Sequence, residues 1–148
     1  MASKGVLLGV VAVVIVCVIV VAVLILGGLL KSGQEEETSP DFELSADPAS
    51  LTIAKGSSAN VTIIVTSING FNSTVTFSGV ASPIDVALYI EFYYPDPATP
   101  TANGDVRLTQ TVYAGPSCPT GSATFTLTGQ SSQPSLSHMV SVTVTVTN

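Results

Sequence analysis

One segment limits what this chain can become more than any other. Residues 5–30 form an uninterrupted apolar run, built almost wholly of Val, Leu, Ile, Ala and Gly, with no charged or hydroxyl side chain. A helix apolar on every face has no stable exposed state in water. At 1.5 Å per residue such a helix extends about 39 Å, more than the roughly 30 Å core of a bilayer. The run therefore predicts a long hydrophobic helix over residues 1–30, placed in lipid or at the centre of an assembly. A cleavable secretory signal has a shorter apolar stretch and an Ala-x-Ala site after it, and neither is found here. A lipoprotein signal requires a small residue before the cysteine, and Val16 precedes Cys17. A retained helix is the expectation.

Lys31-Ser32-Gly33-Gln34, three glutamates (Glu35, Glu36, Glu37) and Thr38-Ser39-Pro40 follow. Gly33 and Pro40 break regular structure, so residues 31–40 read as a short solvated linker.

Residues 41–148 alternate with period two. Val61, Ile63 and Val65 alternate with Thr62, Ile64 and Thr66. Val75 and Phe77 lie between Thr74, Thr76 and Ser78. Ile84, Val86, Leu88, Ile90 and Phe92 read as one face of a single long strand. Val106, Leu108 and Val112 mark another strand, and Phe125 and Leu127 a further one. Val140, Val142, Val144 and Val146 alternate with Ser141, Thr143, Thr145 and Thr147. This is the signature of half-buried strands. Turn residues punctuate it, among them Asp47-Pro48, Asn69-Gly70, Asn103-Gly104 and Gly115-Pro116. No helical period is seen beyond residue 40. Seven or eight short strands of this kind predict a two-sheet sandwich. The expected fold class is mostly β: an N-terminal long hydrophobic helix followed by a β-sandwich over 41–148.

Charge narrows the function. Four Lys+Arg against ten Asp+Glu give a net charge of -6, and 9% of residues are charged, against roughly 25% in an ordinary soluble domain. So few cations cannot neutralise a nucleic-acid backbone. One His and two Cys offer little for a metal centre or a disulfide framework. His138 alone makes no catalytic triad. Asp85, Glu91, Asp96 and Asp105 lie near one another but lack the spacing of a calcium loop, and read as a solvated acidic edge. Lys55, beside Gly56, reads as an exposed turn rather than a cross-linking residue. Cys17 and Cys118 sit on either side of the linker, so no bridge between them is expected. Both read as small thiols, with a bridge from Cys118 to another chain as the alternative. No catalytic residue, metal or cofactor is assigned.

The orientation comes from the second half. Lys4 and Lys31 give little positive bias to either flank. Two N-glycosylation sequons, Asn60-Val61-Thr62 and Asn72-Ser73-Thr74, and a Ser/Thr surface place the sandwich outside the cell with N-linked glycans at Asn60 and Asn72. Ile90 and Phe92 share the apolar face, so Tyr89 and Tyr93 point away from it. With Tyr94 they form a contact surface for another subunit or a ligand, or they pack across the sheet.

Residues 42–72 begin Phe-Glu-Leu-Ser-Ala-Asp-Pro-Ala-Ser-Leu-Thr, continue through Gly56-Ser57-Ser58-Ala59, and end Val65-Thr66-Ser67-Ile68-Asn69-Gly70-Phe71-Asn72. They resemble the immunoglobulin-like modules of archaeal and bacterial surface proteins, as does the closing Leu136-Ser137-His138-Met139-Val140 and the alternating run after it. The likeness fades across residues 89–119. The front end resembles archaeal type IV pilin precursors, in which a short basic leader ending in Lys-Gly precedes an apolar helix and a β headpiece. Here Lys4-Gly5 precedes Val6. The resemblance implies cleavage between Gly5 and Val6, and Val10 stands where bacterial pilins carry Glu.

That resemblance implies a structural subunit of an extracellular filament for adhesion or cell contact. The subunit would be membrane-inserted before assembly and homo-oligomeric through its N-terminal helix, where Gly5 and Gly9 permit close approach. The alternative is a monomeric single-span surface protein whose sandwich is a binding module.

Overall fold

The computed structural model describes residues 38–148. The helix expected over residues 1–30, linker residues 31–37, the junction of Gly5 with Val6, and Cys17 all lie outside the described residues. Thr38–Asn148 forms one compact unit.

Eight strands follow in order: β1 (Asp41–Asp47), β2 (Ser50–Ala54), β3 (Ser58–Ile68), β4 (Thr76–Ser82), β5 (Ile90–Phe92), β6 (Asp105–Ala114), β7 (Gly121–Ser132) and β8 (Ser135–Thr147), with a four-residue helix, α1 (Ile84–Ala87), between β4 and β5. The described fold is all-β. This corrects the reading of the fold as a long hydrophobic helix followed by a sandwich: α1 is the sole helix among the described residues, and no helix there is long and apolar enough to cross a membrane.

The strands form two four-stranded sheets, β1-β3-β6-β5 and β2-β8-β7-β4. All pairings are antiparallel except β2 with β8, which run parallel with Leu51 opposite Val144. In immunoglobulin lettering the sheets read A-B-E-D and A′-G-F-C, so the architecture is an immunoglobulin-like sandwich. The A/A′ switch lies at Asp47-Pro48-Ala49. Proline has no N–H to continue the β1–β3 ladder. The chain crosses to the other sheet there, and the Thr143 amide donates to the Ala49 carbonyl at 3.0 Å.

Inward positions follow the parity of the sequence. Val61, Ile63 and Val65 of β3, Ala123, Phe125 and Leu127 of β7, and Val142, Val144 and Val146 of β8 are all buried. Each of these Val, Ile, Leu and Phe side chains contributes about 1.5–3 kcal/mol on leaving water. A second cluster of Phe42, Leu44, Val65, Phe71 and Val75 fills one end. Two Asn-Gly turns lock together there. The Gly70 amide donates to Asn103 Oδ1 at 2.9 Å, and the Asn103 amide donates to Ser67 Oγ at 2.9 Å. Asn69 and Asn103 both take positive φ, which asparagine tolerates in tight turns.

One strand assignment needs correction. Residues 84–92 are not a single strand. Pro83 caps α1, and the Val86 amide donates to Asp85 Oδ1 at 3.0 Å. The helical turn buries Val86 and Ala87 and leaves Ile84 and Leu88 exposed. Only Ile90–Phe92 pairs with β6. Apolar residues at every second position satisfy a short helical turn as well as a strand. Pro83 sets the entry, and Pro95 and Pro97 lack the donors to extend β5.

Candidate functional site: contact faces and a hydroxyl-lined cleft

The outward face of the β7–β8 pair is a ladder of hydroxyls. Ser122 meets Thr145 at 2.8 Å, Thr124 meets Thr143 at 3.3 Å, and Thr126 meets Ser141 at 3.0 Å. On the other sheet Thr62 meets Thr109 at 3.2 Å, and Thr111 Oγ1 donates to Asn60 Oδ1 at 3.0 Å. Directly opposed Ser and Thr pairs of this kind stabilise a sheet; the β7–β8 face carries them without charge, whereas Glu43, Asp105 and Arg107 are exposed on the other sheet. Asn60, an exposed residue of β3, therefore has its carboxamide oxygen engaged with β6. Asn72 is exposed in the connection from β3 to β4.

The tyrosines cluster around β5. Tyr89 is 48% exposed and Tyr93 69%. Tyr94 has a different setting. Its ring lies against Gly79 of β4 and packs edge-to-face on Phe92 with centroids 6.2 Å apart. Phe92 in turn packs edge-to-face on Phe125 at 5.1 Å. Tyr94, still 41% exposed, thus packs between the sheet edges at β4 and β5, while Tyr89 and Tyr93 are more exposed.

His138 is half-buried on β8. Its Nε2 lies 2.7 Å from Asp41 Oδ1, and its ring stands edge-on to Phe42 with centroids 4.7 Å apart. These partners give it a structural setting that ties β8 to β1. Asp105 pairs with Arg107 at 3.0 Å, and Asp85, in the first turn of α1, accepts from the Val86 amide. Glu91 and Asp96 are exposed. Among the described residues no three His, Cys, Asp or Glu side chains are placed to hold a metal.

Lys55 is half-buried at the turn from β2 to β3, where Gly56 takes φ 72° and the Gly56 amide donates to the Ala114 carbonyl at 2.8 Å. Cys118 is fully buried, with Sγ 3.9 Å from the Val86 carbonyl oxygen. Burial pushes its thiol above the ordinary value, and the Lys55 ammonium opposes this in part. A thiol without exposed surface does not reach a second chain, so the alternative of a bridge through Cys118 is not met.

A cleft of about 520 Å³ lies where the β7–β8 hairpin meets the start of β4. Six of its lining residues carry hydroxyls, with Gln130 and Leu136 beside them; the Thr74 hydroxyl pairs with that of Thr99 at 2.8 Å, and the Thr76 hydroxyl donates to the Gln130 carbonyl at 3.3 Å. One of the six is Ser131, whose buried Oγ has no hydrogen-bond partner among the described residues. The strand-by-strand reading missed this cleft. Ser131 is a polar residue at the inward parity set by Ala123, Phe125, Leu127 and Gly129, on the side of β7 away from Gln130 and Ser132.

No protein-family model and no curated protein matches the chain. Solved structures do match over the sandwich. A family 123 glycoside hydrolase from Clostridium perfringens is 9% identical, with 73% of this chain and 28% of that one covered and a TM-score of 0.56. The alpha-2-macroglobulin of E. coli is 15% identical, with 72% and 6% covered and a TM-score of 0.55. A FixG-related protein from Vibrio parahaemolyticus is 8% identical, with 74% and 97% covered and a TM-score of 0.51. The chain thus spans well under a third of the first two. At these identities the likeness shows the fold alone.

Proposed function

We propose that the chain is a structural subunit displayed outside the cell, in a filament resembling an archaeal type IV pilus and used for adhesion or cell contact. One observation carries this reading. A sandwich whose β2-β8-β7-β4 sheet turns an uncharged, hydroxyl-clad face outward begins at Thr38, eight residues after a 26-residue apolar run ends at Leu30. The run gives a precursor its place in the membrane and, once subunits gather, a dry surface on which copies bury one another. The sandwich is the exterior. Its shell of paired Ser and Thr resists non-specific electrostatic attraction, and N-glycans at Asn60 and Asn72 would extend it. Lys4-Gly5 before Val6 supplies the processing point, between Gly5 and Val6. The exposed Tyr89 and Tyr93 supply contact with a neighbour or a target.

The test is the N-terminus of the chain in material sheared from expressing cells. A mature chain beginning at Val6 within a filament fraction is the expected result. An intact Met1 that stays with the membrane and carries no filament would overturn the reading in favour of a monomeric anchored surface module.

A further inference from the structure

We infer that the first sugar of an N-glycan on Asn60 packs against the ring of Tyr113, so that the glycan lies along the β3–β6 face instead of standing off it. This rests on the glycan at Asn60 in the reading above, and not on the filament.

The register brings the two side chains together. Asn60 stands opposite Thr111, and Ser58 opposite Tyr113, so Tyr113 is a diagonal neighbour of Asn60 on the next strand. Strand parity turns both outward. Asn60 precedes buried Val61, and Tyr113 lies between buried Val112 and Ala114. Diagonal neighbours in an antiparallel pair are about 7–8 Å apart, within reach of an aromatic side chain. Ser58 and Thr111, at the other two corners, are both small. Tyr113 is half-buried and joins none of the aromatic pairs among the described residues.

A hydrogen bond at Asn60 sets the direction of the sugar. Thr111 Oγ1 donates to Asn60 Oδ1 at 3.0 Å, which turns the carboxamide oxygen to β6 and leaves Nδ2 for the glycosidic bond. A substituted amide prefers the trans form, as a peptide bond does. The sugar carbon on Nδ2 then lies on the oxygen's side of the C–N bond, the side that faces β6. On the other flank β1 offers no surface, because its pairing with β3 ends with Asp47 opposite Thr62. A pyranose presents a face of C–H groups, and the ring face of tyrosine is electronegative, so the two attract. The tether supplies a high effective concentration, so a weak contact is enough to hold the sugar.

The experiment is NMR of the full chain purified from the cells that make it, in a detergent without a sugar headgroup. Mass spectrometry reads the occupancy of Asn60, and Asn72→Gln leaves Asn60 as the one sequon. Nuclear Overhauser contacts between the Tyr113 ring and the sugar on Asn60 are expected, with upfield shifts of those sugar protons. Tyr113→Phe keeps the ring face and should retain the upfield shifts; Tyr113→Ala should remove them. Thermal denaturation gives a second readout. Relative to chain made without glycosylation, the sugar should raise Tm by about 4 °C, and by far less in Tyr113→Ala. Tyr89→Ala, which alters an exposed tyrosine beside Gly115, should leave that increment unchanged. An occupied Asn60 whose sugar makes no contact with Tyr113 in the parent chain, or gives the same increment in Tyr113→Ala, would overturn the inference and leave the filament reading standing. An Asn60 without sugar would overturn it together with the glycan assigned there.

Discussion

A Cβ on Gly79 would stand 2.7 Å from Cε1 of Tyr94, so the tyrosine occupies the space where a side chain on β4 would be. Thr126 O, a backbone atom of β7, lies equally close on another side. Backbone gives way less readily than the end of a side chain. Gly79→Ala should therefore cost about 1–3 kcal/mol through overpacking and turn Tyr94 outward. Urea denaturation measures the first effect, and acrylamide quenching of tyrosine emission the second. An unchanged midpoint with unchanged quenching would mean that the β4–β5 gap is looser than the geometry implies.

The contact of His138 with Asp41 is the only ion-pair geometry that joins β8 to β1 among the described residues. Both side chains keep more than a third of their surface in water, so screening keeps the contribution small. Asp41→Asn and His138→Gln should each lower stability by about 1 kcal/mol or less. The double variant should lose less than the two losses added together, because both remove the same contact. A double-mutant cycle by thermal or chemical denaturation reads this coupling directly. Additive losses would show that the two side chains act independently.

Cys118 makes stability depend on pH. Its thiol ionises at the ordinary value of 9.0 once unfolded and retains its proton to higher pH when folded, because burial disfavours the thiolate. Its contribution is whole below pH 9.0, and is lost as pH rises through the folded value. The chain should therefore unfold more readily in base, and Cys118→Ala should show a smaller decline over the same range. A thiol reagent should label Cys118 slowly in the native state and fast in denaturant.

Leu127 is fully buried between the sheets. Leu127→Ala should cost about 2–5 kcal/mol, a large share of the stability of a domain this size, and should lower the yield of folded protein. Thr126→Val, on the opposite face of the same strand, should change stability by less than about 1 kcal/mol. The contrast tests the parity on which the sandwich assignment rests.

That parity was readable in the sequence wherever both faces of a strand differed in kind. The Val-Thr alternation of β8 and the Phe and Leu of β7 fall on the sides that their spacing indicates. The segment from Ile84 to Phe92 was misread, because apolar residues at every second position also fit a single helical turn. The proline before it, rather than the period, decides between the two. Tyr94 could not be separated from Tyr89 and Tyr93 by spacing. Its partner, Gly79, lies on another sheet, and only the tertiary fold brings them together. The cleft left no trace in strand parity, since Ser131, the polar residue on an apolar face, lies on the side of β7 away from Gln130 and Ser132. Its walls come from three separate stretches of chain, and no local pattern links them.

The central claim is that residues 38–148 form the outer surface of a filament. Immunogold electron microscopy of intact, unpermeabilised cells, with antibodies raised against that sandwich, tests it most directly. The account predicts gold particles in rows along filaments that leave the cell. Gold confined to the cell envelope, or appearing only after permeabilisation, would contradict it.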